Sequence, residues 1–160
     1  MTVFDKMNLK DQDAILVLDA PASFEPELKG LDGVSVHRSV AGVKTVGFFL
    51  AFVTSQREAD KAMRAAAAKT AGDAVVWFAY PKGTSKKYKS TINRDSGWKA
   101  MGEAGFEPVR MVAIDEDWSG LRFRRADFIK TMVRGSEHAL SAKGKAKIKA
   151  TRAPHRQKDA

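Results

Sequence analysis

Between Pro81 and Trp98 the chain reads PKGTSKKYKSTINRDSGW, and the groups in it able to do chemistry are ammonium and hydroxyl groups. Lys82, Lys86, Lys87 and Lys89 are interspersed with Thr84, Ser85, Ser90 and Thr91, and Gly83 lets backbone approach a ligand. Phosphate recognition uses such groups. Arg122 adds a planar guanidinium that can fork onto a carboxylate or phosphate. Lys82, Lys86, Lys87, Lys89 and Arg122 are therefore the candidate anion-binding set, with Lys82, Lys86, Lys87 and Arg122 expected to form a pocket at the strand ends. The glycine and Lys-Ser/Thr spacing is not that of a Walker loop. Tyr80, Tyr88 and Trp98 are near enough in sequence to stack a base, although aromatics at strand and helix positions usually belong to a core. The competing reading is a solvated loop whose lysines only preserve solubility.

Other constellations are weaker. Ser96-Gly-Trp-Lys99 matches a Ser-x-x-Lys nucleophile pattern but lacks its partner motifs. Asp115, Glu116 and Asp117 can hold a divalent ion, yet three acids in a tight turn are ordinarily solvated. His37, His138 and His155 are too scattered for a triad or a metal set. The chain has no cysteine, which excludes disulfides, thiolate catalysis and cysteine-bound metal. The expectation is no catalytic residue, no metal and no cofactor.

Charge placement sharpens the anion reading. The net charge is +9, and residues 121–160 hold 12 Lys and Arg against 3 Asp and Glu, so they account for the whole excess. Within the neutral remainder, residues 82–99 hold 6 basic residues against Asp95 alone. Two basic islands on a mildly acidic background suit an anionic partner. Lys143, Lys145, Lys147, Lys149 and Arg152 lie in a Lys/Ala/Gly-rich stretch without aromatics, read as a flexible tail that binds nucleic acid or another polyanion by counterion release. One apolar residue, Ile148, is too little to anchor it on a membrane.

The elements that must position these groups follow from hydrophobic pattern. Ala14–Ala20, Thr45–Val53 and Ala74–Tyr80 are continuous apolar runs, the pattern of central parallel strands buried on both faces. Val34–Val40 alternates as a half-exposed strand with Ser35 and His37 outward. Phe24–Leu31 predicts a short helix after Pro21. Ser55 and Glu58 form a capping box that opens a helix to about Ala71. A cap-like Asp95-Ser96 opens a short helix to Ala104, with Trp98 and Met101 inward. Glu107–Ile114 and Trp118–Arg125 read as strands joined by a tight turn, hence antiparallel neighbours. A closing helix is predicted over 126–134, with Phe128, Ile129 and Met132 inward. The first 13 residues read as a short helix or an extended lead-in. At 160 residues the length suits one domain, placed at 1–134, with the tail at 135–160. The longest apolar run is far short of a membrane span and the start has no signal-peptide pattern, so a cytoplasmic protein is expected.

This alternation predicts an α/β fold, a mostly parallel three-layer sheet ending in an antiparallel hairpin. The order resembles a truncated Rossmann-like class I methyltransferase, in which such a hairpin ends the sheet and an Ala-Gly-Phe like Ala104-Gly105-Phe106 commonly precedes it. More locally, Trp77-Phe-Ala-Tyr-Pro81-Lys82, Ala104-Gly105-Phe106 and Trp118-Ser119 with Arg122-Phe123 are similar to an uncharacterised bacterial family best known from actinobacteria. That family implies no activity, and the long lysine loop and basic tail depart from it.

The methyltransferase likeness carries a testable requirement. S-adenosylmethionine binding needs a glycine-rich turn after the first strand and an acid after the second. Here the first turn is Asp19-Ala-Pro-Ala-Ser23 and the second strand ends Arg38-Ser39-Val40. The expectation is therefore a non-catalytic domain that binds an anionic partner, nucleic acid or nucleotide. The alternative is an S-adenosylmethionine- or nucleotide-dependent enzyme with a degenerate cofactor site.

Overall fold

A computed structural model describes residues 2–93 and 96–129 of the chain. The predicted basic tail, with Lys143, Lys145, Lys147, Lys149 and Arg152, lies outside the described residues, as do Arg94 and Asp95. Helix α1 is Val3–Lys6, followed by β1 (Ala14–Leu18), α2 (Glu25–Lys29), β2 (Ser35–His37), β3 (Val46–Phe52), α3 (Gln56–Lys69), β4 (Thr70–Pro81), α4 (Lys99–Glu103), β5 (Phe106–Ala113) and β6 (Trp118–Arg125). The strands form one sheet in the order β2-β1-β3-β4-β6-β5. The first four run parallel, and β6 is antiparallel to both β4 and β5. This is the expected α/β architecture, mostly parallel and ending in the hairpin.

The apolar runs become central strands because each of their two faces is covered. Leu16, Phe49, Ala51, Val76, Phe78, Leu121 and Phe123 pack under α3 and α4, which contribute Ala59, Ala62, Met63, Ala66 and Met101. On the other face Ile15, Val17, Phe48, Leu50, Phe52, Val75 and Trp77 pack under α1 and α2, which contribute Val3, Phe4 and Leu28. The Trp77 indole N–H donates to the Met7 carbonyl at 2.7 Å, so the first helix is tied to the middle of the sheet. No described helix is long and apolar enough to cross a membrane.

Several boundaries differ from the sequence reading. The first residues do form a helix, started by a full capping box between Thr2 and Asp5. At the start of α3, Ser55 accepts from the Glu58 N–H as expected, but the Glu58 carboxylate reaches past the cap. It accepts from the N–H and hydroxyl of Thr54 at 2.7 and 2.8 Å. The helix stops at Lys69 rather than Ala71 because Thr70 is extended and donates its hydroxyl back to the Ala66 carbonyl at 2.6 Å, so β4 starts there. Helix α4 begins at Lys99, not Ser96, whose hydroxyl is held by Asn93. In place of the start of a closing helix there is a 3-10 turn over Ala126–Phe128, with Phe128 exposed; residues 130–134 lie outside the described residues.

Candidate functional site

In open α/β sheets ligands bind beyond the carboxyl ends of the strands, where the strand order reverses. Here the reversal lies between β1 and β3, since β2 follows on one side of β1 while β3 and β4 follow on the other. The lysine loop leaves the same edge of the sheet, from the end of β4. It is tied down at several points. The Lys82 N–H donates to the Asp117 carbonyl at 2.8 Å, and the Ser85 hydroxyl donates to the Asp117 carboxylate at 2.8 Å. The Tyr88 N–H donates to the Ser85 hydroxyl, and the Tyr88 ring lies 4.9 Å from that of Trp118. Further on, the Thr91 N–H donates to the Thr54 carbonyl at 3.2 Å, which brings the loop to the end of β3.

The loop therefore holds its charges out on an ordered backbone. Lys86, Lys87 and Lys89 are exposed and Lys82 is half-buried. Its serines are not free for a ligand: Ser85 holds the turn, and Ser90 donates to the Ile92 carbonyl while accepting its N–H. The base-stacking candidates do not serve either. Tyr80 and Trp98 are core residues and Tyr88 is packed on Trp118. In the acidic turn Asp115 accepts from the N–H groups of Asp117 and Trp118, and no metal-ligating cluster occurs among the described residues.

Arg122 is not part of this loop. It sits opposite Trp77, whereas the strand end is at the Pro81 to Trp118 pair. Four residues along a strand is about 13 Å at 3.3 Å each, so Arg122 starts well back from the strand end at which the lysine loop begins. Instead Arg122 joins two other arginines. Alternation along β6 puts Arg122 and Arg124 on the face of Trp77, and Arg110 of β5 pairs directly with Arg122. Arg124 forks onto Asp73 with bonds of 2.7 and 2.8 Å. Among the described residues Arg122 and Arg110 have no such bond, and the Arg122 Nε is buried without a partner. Burial, and then the Arg124 charge, hold the Arg122 guanidinium below its usual pKa; Asp73 opposes this and Arg110 adds to it.

The Asp73 to Arg124 pair gives a pH expectation. The hydrogen bonds from Arg124 hold the Asp73 carboxyl below its ordinary value of 3.8. Its stabilising effect is thus present above that ordinary value and is lost as pH falls through the lowered one. The two side chains are 35% and 37% exposed, so the effect is modest. Denaturant unfolding of Asp73→Asn is expected to show a small stability loss at neutral pH. That loss should shrink as pH falls below the ordinary carboxyl range and vanish once the lowered value has been passed.

Arg110 and Asp73 are the site residues that sequence reading missed. The place of Arg110 depends on a bulge between Pro108 and Arg110, for which Pro108 is the one local signal.

Two features of the strand-end crevice depart from the S-adenosylmethionine-binding pattern. The turn after β1 has Asp19 in a left-handed conformation, φ 58°, where a glycine would bring backbone to the cofactor. Beyond β2, where that pattern calls for an acid, the chain has Arg38, which forks onto Glu25 at 2.7 and 2.8 Å. The rings of Phe24, Phe52 and Trp118 run in contact beside the crevice, with successive centroids 5.0 and 5.1 Å apart.

No protein-family model matches the chain and no curated protein matches it in sequence, so the likeness to an actinobacterial family gains no support from these comparisons. Solved structures do match. An S-adenosylmethionine-dependent methyltransferase from Aquifex aeolicus aligns with a TM-score of 0.54 and 15% identity over 77% of this chain and 87% of its own. A ribosomal-protein methylase from Lactobacillus delbrueckii subsp. bulgaricus aligns with a TM-score of 0.48 and 13% identity over 77% and 74%. At such identity the likeness is one of fold, and with the strand order above it makes this chain a Rossmann-like α/β fold of the methyltransferase type.

Proposed function

We propose that this chain is a methyltransferase-fold domain that binds a polyanion, with nucleic acid as the ligand class, through Lys82, Lys86, Lys87 and Lys89. The observation that carries this reading is the anchoring of the lysine loop. Hydrogen bonds from Ser85 and Lys82 to Asp117 hold the turn while Lys86, Lys87 and Lys89 stay exposed. A backbone already ordered loses less entropy when those ammonium groups meet phosphates. Lys143, Lys145, Lys147, Lys149 and Arg152 add charge without sequence reading. The degenerate turn after β1 supports a non-catalytic role.

The test is binding of the full chain to a labelled single-stranded RNA oligonucleotide across a salt series. Each phosphate contact contributes about 0.7 to the slope of log K against log salt. Replacing Lys86 and Lys87 with Ala is expected to lower that slope by about 1 to 1.5 and to weaken binding at every salt. Truncation after Gly135 should lower the slope further. An unchanged slope in both variants, or no binding at low salt, rejects the reading.

A second reading is an S-adenosylmethionine-dependent enzyme, and the fold comparison speaks for it more than for the first. The site chemistry speaks against it. A thermal shift decides, because a ligand at about 100 times its dissociation constant stabilises by about 2.7 kcal/mol. A clear rise in Tm with S-adenosylmethionine would replace the first reading with this one.

A further inference from the structure

We propose that the sheet face around Arg122 is a second anion site, distinct from the lysine loop, that takes a compact phosphate-type dianion between Arg122 and Arg110. Both guanidiniums stand on one face of the β5–β6 hairpin as direct cross-strand partners. Partners of this kind have Cα atoms about 5 Å apart, a separation that one tetrahedral anion can bridge. Arg124, two residues along the same face, is already neutralised by Asp73. Glu107, in register with Arg124, is fully buried and has an interaction of its own. Two positive charges are thus left without an ion pair among the described residues, which matches a dianion better than a single carboxylate.

The site is open to solvent at Arg110. Arg110 is exposed at the edge strand, while α1 and α2 pack on this face against β1, β3 and β4. The Arg122 Nε is a buried donor with no acceptor among the described residues. A donor in that state recovers a bond when the side chain turns it toward an oxyanion, and the guanidinium fork matches phosphate oxygens in pairs. Crowding of Arg122 by Arg124 and Arg110 is relieved by the same event. The lysine loop, by contrast, offers separate point charges suited to an extended polymer.

Isothermal titration of the full chain with inorganic phosphate and with glycerol 3-phosphate tests this. One ion per chain is expected. Arg122→Gln should weaken binding at least tenfold, and Arg122→Lys should fall between, since it keeps charge but loses the fork. The Lys86→Ala, Lys87→Ala double variant should bind as wild type does. Arg110→Gln, at an exposed position, should weaken binding too and keeps the test decisive if Arg122→Gln fails to fold by circular dichroism. Binding of inorganic phosphate alone assigns a free ion, and binding of both assigns a phosphomonoester group. No binding of either ion, binding unaffected by Arg110→Gln, or binding lost in the lysine variant overturns the proposal.

Discussion

Replacing Trp77 with Ala is expected to lower the stability of the chain by about 3 to 5 kcal/mol, the range for emptying a large aromatic site in a packed core. Trp77 is completely buried in the middle of β4. Its ring is part of the cluster under α1 and α2, and its indole N–H holds the Met7 carbonyl at 2.7 Å across 70 residues of sequence. The more informative variant is Trp77→Phe, which keeps much of the ring. It should cost less, about 1 to 3 kcal/mol, because the buried Met7 carbonyl is left without a donor and some volume is lost. In that variant the amides of α1 should exchange faster with solvent while those of β3 and β4 stay protected. Equal loss of protection throughout would mean that α1 is not held by this bond.

Trp118 should behave in the opposite way. It is 3% exposed and touches Phe52 and Tyr88, yet its indole N–H is buried with no partner among the described residues. A buried donor left unpaired costs about 1 to 3 kcal/mol. Trp118→Phe removes that donor while keeping an aromatic ring, so denaturant unfolding should show little loss or a gain. Trp118→Ala should lose about 3 to 5 kcal/mol. It should also free Tyr88 and with it the lysine loop, so RNA affinity should fall although no charge has changed. A loss above about 1.5 kcal/mol in Trp118→Phe would mean that the N–H has a partner after all. Unchanged RNA affinity in Trp118→Ala would mean that loop order contributes nothing to binding.

The contrast between the two tryptophans bears on what a sequence can carry. Both sit in strands that the apolar pattern identifies, and both are core residues. Which indole N–H finds an acceptor depends on a helix 70 residues away in one case and on a loop packing in the other. Such pairings are long-range and have no local signature. The same applies to Glu58, read as one half of a capping box, which turns instead to Thr54. There the first three side-chain and backbone types are right, and the geometry of one turn decides the partner.

The strand sequence, the parallel central strands and the closing hairpin were determined by local pattern: apolar runs of strand length, a helix between them with a polar N-cap, and a turn too short for anything but antiparallel pairing. The charge islands, too, are a property of composition. What only the tertiary structure decided is which charges meet. Chemistry alone groups Arg122 with the lysines, and the sheet places it about 13 Å from their strand end. Its actual neighbour, Arg110, is brought to it by the extra residue Val109 in the bulge. Because side chains alternate with a period of two, one inserted residue moves every later side chain of β5 to the other face. Without it Arg110 would lie opposite Leu121, under α4, and the arginine face would not exist. The local sign of this shift is Pro108, a residue that sheets admit at edge strands and bulges, but it does not say which charges the shift brings together.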